Sequence, residues 1–134
     1  MDILGRVTVL MGVYNSELYL ADAINSILNQ SYKDFKFLII NDGSTDMSEE
    51  IILSIKDDRI IYLKNPENIG IGRTVRKGME MIQSKYVIRV DSADISFPER
   101  FQEQVDFMDL HPEIAIAGTF FEVRVIFPKN NIDS

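Results

Sequence analysis

The apolar run Tyr86-Val87-Ile88 leads through Arg89 to Val90, and two carboxylates follow at once: Asp91 and Asp94, on either side of Ser92-Ala93. Acids at the end of a buried strand are costly unless something pairs with them. Three other stretches end apolar, β-rich runs in the same polar way. They are Gly12-Val13-Tyr14-Asn15, the string "NDGSTD" from Asn41 to Asp46, and "NPENIGIGR" from Asn65 to Arg73. In an open α/β sheet the ligand sits beyond the carboxyl ends of the strands. The spacing therefore gathers four polar, glycine-rich strand ends on one edge.

The elements that must position them alternate in period. Arg6–Val13, Phe35–Ile40, Arg59–Leu63 and Tyr86–Val90 are continuous apolar runs, with a shorter fifth at Ile114–Ala117. Such runs suit strands covered on both faces. Between them lie helical stripes. Leu20, Ile24, Ile27 and Leu28 form the first, with Asn15 as its expected N-cap. Ile51, Ile52 and Ile55 form the second, behind Asp46 and Glu49, and Ile71, Val75, Gly78, Met79 and Ile82 the third. Phe101, Val105 and Met108 line a fourth, opened by Ser96-Phe97-Pro98-Glu99, which reads as a capping box. This alternation with short loops predicts βαβ units, a mostly parallel sheet and one domain over 1–126. The stretch from Thr119 has room for one more strand, and 127–134 reads as a frayed tail.

Taken singly, each motif has an ordinary reading. Asp42-Gly43-Ser44 suits a strand-ending turn, and Asp46 a helix cap. The segment Asn68–Gly72 is either a phosphate-cradling loop or a flexible helix entry, since G-x-G alone is a weak signal. Arg73 in a first helical turn opposes the macrodipole and makes better sense facing an anion, although a solvated side chain explains it equally. Tyr14 suits stacking on a planar base, or a half-buried aromatic. Gly78 marks close helix-to-sheet packing, His111 before Pro112 a turn, and Phe120-Phe121 core cover. Asp42 and Asp91 around a magnesium ion would also mimic a phosphoryl-accepting receiver-like domain. The chain lacks the convincing lysine at its last strand that such a domain needs.

Composition narrows the classes. Fourteen basic against 21 acidic residues leave a net charge of -7, which argues against a nucleic-acid binder but not against a small anion held by a few donors. With 46% apolar and 26% charged residues, the 134-residue chain suits one soluble domain. No cysteine is present, so there is neither disulfide nor thiolate metal site. No apolar run reaches the ~18 residues of a transmembrane helix, and no signal peptide is visible.

In combination the motifs say more. "VTVLMGVYNSELYLADAINSILNQSYKDFKFLIINDGSTD", then "NIGIGRTVRKGM" and "YVIRVDSADISFPERFQEQVDFM", closely resemble the family-2 glycosyltransferases, over about Val7 to Val123 in matching order. These are inverting nucleotide-sugar enzymes with the GT-A fold. The resemblance implies a three-layer α/β/α architecture with a mostly parallel central sheet, here truncated. It implies that Val13, Tyr14 and Asn15 hold the nucleotide base by backbone and ring, and that Asp42 hydrogen-bonds the base, typically uracil. Asn68 and Gly70 match the loop beside the donor, and Arg73 is a candidate diphosphate contact. Asp91 matches the first acid of the Asp-x-Asp motif, with Ser92 beside it, near the ribose and the metal-bound diphosphate.

The usual string is Asp-Ala-Asp-Asp; here it is Asp91-Ser92-Ala93-Asp94, so a methyl group stands at the metal-ligating position and Asp94 is one residue out of phase. The implied cofactor is a magnesium or manganese ion, with Asp91 and Asp94 as its expected ligands. Gly12, Asn41 and Arg76 also depart from the family pattern, where Pro, Asp and Asn are common. The general base lies further along in this family, and no acid in 119–134 has its context; Glu122 and Asp133 have only their position to recommend them. Two functions follow. One is transfer of sugar from a nucleotide-diphosphate sugar, expected to be a UDP-sugar, to a glycan or lipid-linked acceptor. The other is a non-catalytic nucleotide-sugar-binding module. The expected location is the cytoplasm, at the inner face of the membrane. A truncated sheet leaves an apolar edge, so homodimerisation through Phe120, Phe121 and Val123–Phe127 is a further expectation.

Overall fold

A computed structural model of the chain describes residues 2–112 and the backbone of 126–128. Among the described residues nine elements follow in order: β1 (Val7–Val13), α1 (Leu20–Leu28), β2 (Lys36–Asn41), α2 (Ser48–Ser54), β3 (Ile60–Lys64), α3 (Ile71–Met81), β4 (Tyr86–Asp91), α4 (Arg100–Leu110) and β5 (Ile126–Pro128). They form a sheet of order β3-β2-β1-β4-β5, parallel except for β5, which runs antiparallel to β4. The expected first four strands and four helices are all present. The fifth strand expected at Ile114–Ala117 lies outside the described residues, as do Phe120, Phe121, Glu122 and Asp133. Of the run Val123–Phe127, only the backbone from Ile126 on is described. Its pairing with β4 continues to Pro128, across the boundary drawn at 126 from the sequence.

Every residue of β1 is buried, because β1 lies centrally with helices on both faces. Residues of alternate parity serve the two layers. Val7, Val9, Met11 and Val13 join Ile24 and Ile27 of α1, Ile52 of α2, and Phe101, Val105 and Met108 of α4 in one cluster. Leu10, with Leu38, Ile40 and Val87, faces Val75 and Met79 of α3 on the other side. The chain steps from β1 outward to β3, then returns across β1 to β4. Keeping the same crossover hand while reversing direction places α3 on the opposite face from α1 and α2.

Two helix starts differ from the sequence expectation. α1 begins at Leu20 without a side-chain cap. Asn15 is instead bent back with φ 46°, and its Oδ1 accepts the Thr45 N–H at 2.8 Å; a cross-loop donor outcompetes the helix. α4 begins at Arg100 with Glu99 as its cap residue and no side-chain cap. Ser96 therefore sits too far upstream for a capping box. Its hydroxyl accepts from the buried Arg100 guanidinium at 2.8 Å, while the first-turn Phe101 N–H is satisfied by Gln30 Oε1 at 3.0 Å.

Gly78 lets α3 pack closely on the sheet, as expected. A Cβ there would lie 2.6 Å from Leu10 Cδ1 and 3.1 Å from Ile40 Cδ1. Gly78→Val is expected to destabilise the fold by about 1–3 kcal/mol through overpacking, read as a lower midpoint in urea with an unchanged slope.

Candidate functional site

β1 and β4 are adjacent where the strand order reverses: the chain leaves β1 through α1 on one face and reaches β4 from α3 on the other. This switch point is where open α/β sheets form ligand crevices. A cleft of about 390 Å³ lies there, lined by Gly12 near the end of β1 with Tyr14 and Ser16 beyond it, Ile71 at the start of α3, and Asp91 at the end of β4 with Ser92, Ala93 and Asp94 beyond it. Gly12 is the register partner of Asp91. Its missing side chain makes the floor: a Cβ would come within 2.5 Å of Ile71 Cδ1.

The β4 wall is a tight turn. Asp94 N–H donates to the Asp91 carbonyl at 3.3 Å, so the two acids stand at the ends of one turn and both face the cleft. The Ala93 methyl lies between them in the lining. Among the described residues no group of three or more His, Cys, Asp or Glu is arranged to hold a metal. Two carboxylates nonetheless suit a hard cation that takes its remaining oxygens from phosphate and water.

The β1 wall carries Tyr14, 44% exposed, and Ser16. The Ser16 and Ser92 hydroxyls are 2.7 Å apart and tie the two walls together. Val13 and Asn15 do not face the cleft; they are struts. The Val13 side chain is buried and its carbonyl accepts the Asp42 N–H at 2.7 Å. Asn15 N–H donates to Ser44 Oγ at 3.0 Å. The turn after β1 is cross-braced to the turn after β2 by further bonds. Ser16 N–H donates to Ser48 Oγ (2.9 Å), Glu17 N–H to Asp46 Oδ2 (3.2 Å) and Met47 N–H to Glu17 Oε2 (2.9 Å). Asp46 also accepts the Ser48 N–H at 2.9 Å, but from one residue upstream of the cap position of α2, which Met47 occupies without a side-chain bond.

Asp42, Asn68 and Gly70 form a second cluster beside the cleft. Asp42 has no exposed surface. Its Oδ1 accepts from Asn65 Nδ2 (3.0 Å) and Ile69 N–H (2.8 Å), its Oδ2 from Asn68 Nδ2 (3.1 Å) and Gly70 N–H (2.9 Å). The amides of a possible phosphate cradle are thus already bound to a carboxylate. Gly43, at φ +71°, permits the close approach: a Cβ would lie 2.7 Å from the Asn68 nitrogen. Arg73 is exposed in the first turn of α3.

The sequence reading did not single out Ser16 or Ile71. Ser16 follows Tyr14 by two residues, and Ile71 follows Gly70 directly; those offsets were the available signals. It also placed Tyr14, Asp42 and Asp91 in one cleft. Tyr14 and Asp91 share it, while Asp42 lies in the neighbouring cluster.

Burial alone would raise the pKa of Asp42, but the hydrogen bonds from Ile69, Asn65, Gly70 and Thr74 outweigh it and hold the carboxyl below its ordinary value. Such a group contributes stability above its unfolded pKa, near 4, and loses it as pH falls through the lower folded value. Unfolding midpoints should therefore drop on acidification from about pH 6 to about pH 3, and less steeply in Asp42→Asn, as followed by circular dichroism.

Comparison with known proteins identifies the family and the fold. The model of the family "Glycosyl transferase family 2" matches residues 8–131. The putative glycosyltransferase EpsE of Bacillus subtilis (strain 168) is 35% identical over 117 residues, covering 85% of this chain and 42% of that protein. Among solved structures, S. aureus TarS 1-349 in complex with UDP superposes with a TM-score of 0.75 at 24% identity, over 81% of this chain and 33% of that one. The mannosyltransferase PcManGT from Pyrobaculum calidifontis, in complex with GDP-Man and Mn2+, gives a TM-score of 0.81 at 14% identity, over 96% of this chain and 46% of that one. The chain thus spans less than half the length of each of these proteins.

Proposed function

Since the chain belongs to glycosyl transferase family 2 and has the GT-A fold, we propose that its cleft binds the nucleoside diphosphate of an activated sugar, as the donor-binding part of a glycosyltransferase. The observation that carries this reading is the joint placement of Tyr14, Ser92, Asp91 and Asp94 around one crevice at the sheet's switch point. The half-exposed Tyr14 ring offers a stacking face for a base. Asp91 and Asp94 are the groups that would meet a diphosphate, and Arg73, exposed in the first turn of α3, is a further contact. Asn68 and Gly70 stand behind, fixing the loop that leads to Ile71.

Electrostatics makes a cation part of the proposal. Asp91 and Asp94 face the cleft of a chain whose net charge is -7, and a diphosphate entering beside them would meet repulsion. A magnesium or manganese ion held by Asp91 and Asp94 fits this donor set, and when bound it would offset charge on the departing diphosphate. Transfer to an acceptor hydroxyl with inversion also needs a base on the acceptor side. A UDP-sugar donor, a glycan or lipid-linked acceptor, and a place at the inner face of the membrane are the finer parts of the proposal. Among the described residues no helix is long and apolar enough to cross a membrane. Ala93 in the lining favours a second reading, a non-catalytic module that binds nucleotide with little help from metal.

Calorimetric titration separates the two. For the transferase reading, UDP should bind with Mn2+ and about tenfold more weakly (about 1.4 kcal/mol) with a chelator, and Asp91→Asn and Asp94→Asn should each remove that difference. Metal-independent binding that becomes metal-linked only in Ala93→Asp would select the module. No binding of any nucleoside diphosphate, under any metal condition, by the folded chain would end both.

A further inference from the structure

Ser16 and Ser92 line opposite walls of the cleft, and their hydroxyl oxygens lie 2.7 Å apart across 76 positions of sequence. A second bond fixes which of them donates. The Ser16 hydroxyl donates to the Tyr14 carbonyl at 3.1 Å, and a hydroxyl has one proton to give. With both bonds made, Ser92 is the donor and Ser16 Oγ its acceptor. The relay runs from the acidic turn, through Ser16, to the backbone of the tyrosine wall. Ser16 is itself a fixed post. Its N–H donates at 2.9 Å to Ser48 Oγ, on a residue of α2 with no exposed surface. Its carbonyl accepts the Leu20 N–H of α1 at 3.2 Å. The turn that it meets is held less firmly. Within that turn the Asp94 N–H reaches the Asp91 carbonyl at 3.3 Å, which is long for an amide bond. The next tie to α1 comes only at Ser96, whose N–H donates to Ser26 Oγ at 3.0 Å.

We propose that Ser92 and Ser16 are positioning residues of the donor site: their hydroxyl pair is a clasp that sets the spacing between the tyrosine wall and the turn from Asp91 to Asp94. This rests on the donor-site reading above for its ligand, but not for the clasp. A nucleoside diphosphate that stacks on Tyr14 and presents its phosphates to the two acids uses both walls at once. Its affinity therefore depends on their spacing, even where neither serine touches it, because a preformed site spares the cost of ordering the turn on binding. The clasp is made of protein atoms alone, so it holds the acidic turn before any cation arrives.

Two measurements on the full chain test this, each on the wild type, Ser16→Ala, Ser92→Ala and the double variant. Without ligand, amide hydrogen exchange reads the clasp. Ser16→Ala should speed exchange of the Asp94 N–H, on the far wall, about fivefold. Ser92→Ala should do the same, and the double variant no more than either. Asp94 exchange unmoved by Ser16→Ala would overturn the proposal. An equal acceleration at the β1 amides would reduce the effect to general instability and overturn it too. With Mn2+ present, titration with UDP reads the ligand side. Each single variant should bind about fivefold more weakly, and the double variant also about fivefold, against about twenty-five-fold for independent sites. Additive losses, or a loss in Ser92→Ala alone, would assign Ser92 to direct contact with the ligand and overturn the proposal. Ser92→Thr keeps the hydroxyl and should bind as the wild type does; a loss as large as that of Ser92→Ala would count against the clasp and overturn it. If the wild type does not bind UDP, the donor-site reading falls, while exchange at Asp94 still decides whether the clasp exists.

Discussion

A carboxylate without contact with water must have its charge answered by donors, and at the end of β2 that requirement organises half of the site. Asp42 collects two backbone and two side-chain N–H groups from a single connection. Leaving such donors and acceptors unmet would cost several times what an ordinary hydrogen bond contributes. The loop between β3 and α3 is therefore held by the strand end it passes, and Gly43 and Gly70 have the backbone angles that let it pass so closely. Asn65 joins this buried acid to Lys77, so the negative charge is also balanced through an amide.

The other half of the site comes from topology. Placing β4 next to β1, with α3 on the opposite face from α1, opens the sheet's carboxyl edge between them. One wall is then a tyrosine and a serine, the other a tight acidic turn, and the floor is a glycine over which Ile71 leans. The walls meet through a pair of hydroxyls, Ser16 and Ser92. An acidic crevice of this kind is poorly suited to a free anion and well suited to an anion that arrives with a metal.

Periodicity made the four parallel strands and four helices legible, because strands buried on both faces and helices with one apolar stripe leave different spacings. The carboxyl edge was legible for the same reason: polar residues follow each apolar run. Helix starts were less so. Asn15 and Ser96 have the right chemistry for caps, yet other partners, the distant Thr45 and the nearby Arg100 guanidinium, claim their side chains. The division between cleft and buried cluster was not legible at all. Tyr14, Asp42 and Asp91 all follow strands, and only the fold of the β3–α3 loop covers Asp42 while leaving the other two open. Resemblance to the family named the residues but carried no account of which donors each already had.

The bonds between the turn after β1 and the turn after β2 have a bearing on how such a site can diverge. Asn15, Ser16 and Glu17 on one turn and Ser44, Asp46, Met47 and Ser48 on the other hold one another across about thirty positions of sequence, in both directions. Neither turn can change length alone without stranding its partner's amides. Descendants with altered selectivity would have to exchange both turns as one inherited block, and a chimera built at the β1–α1 junction alone would inherit a mismatched pair.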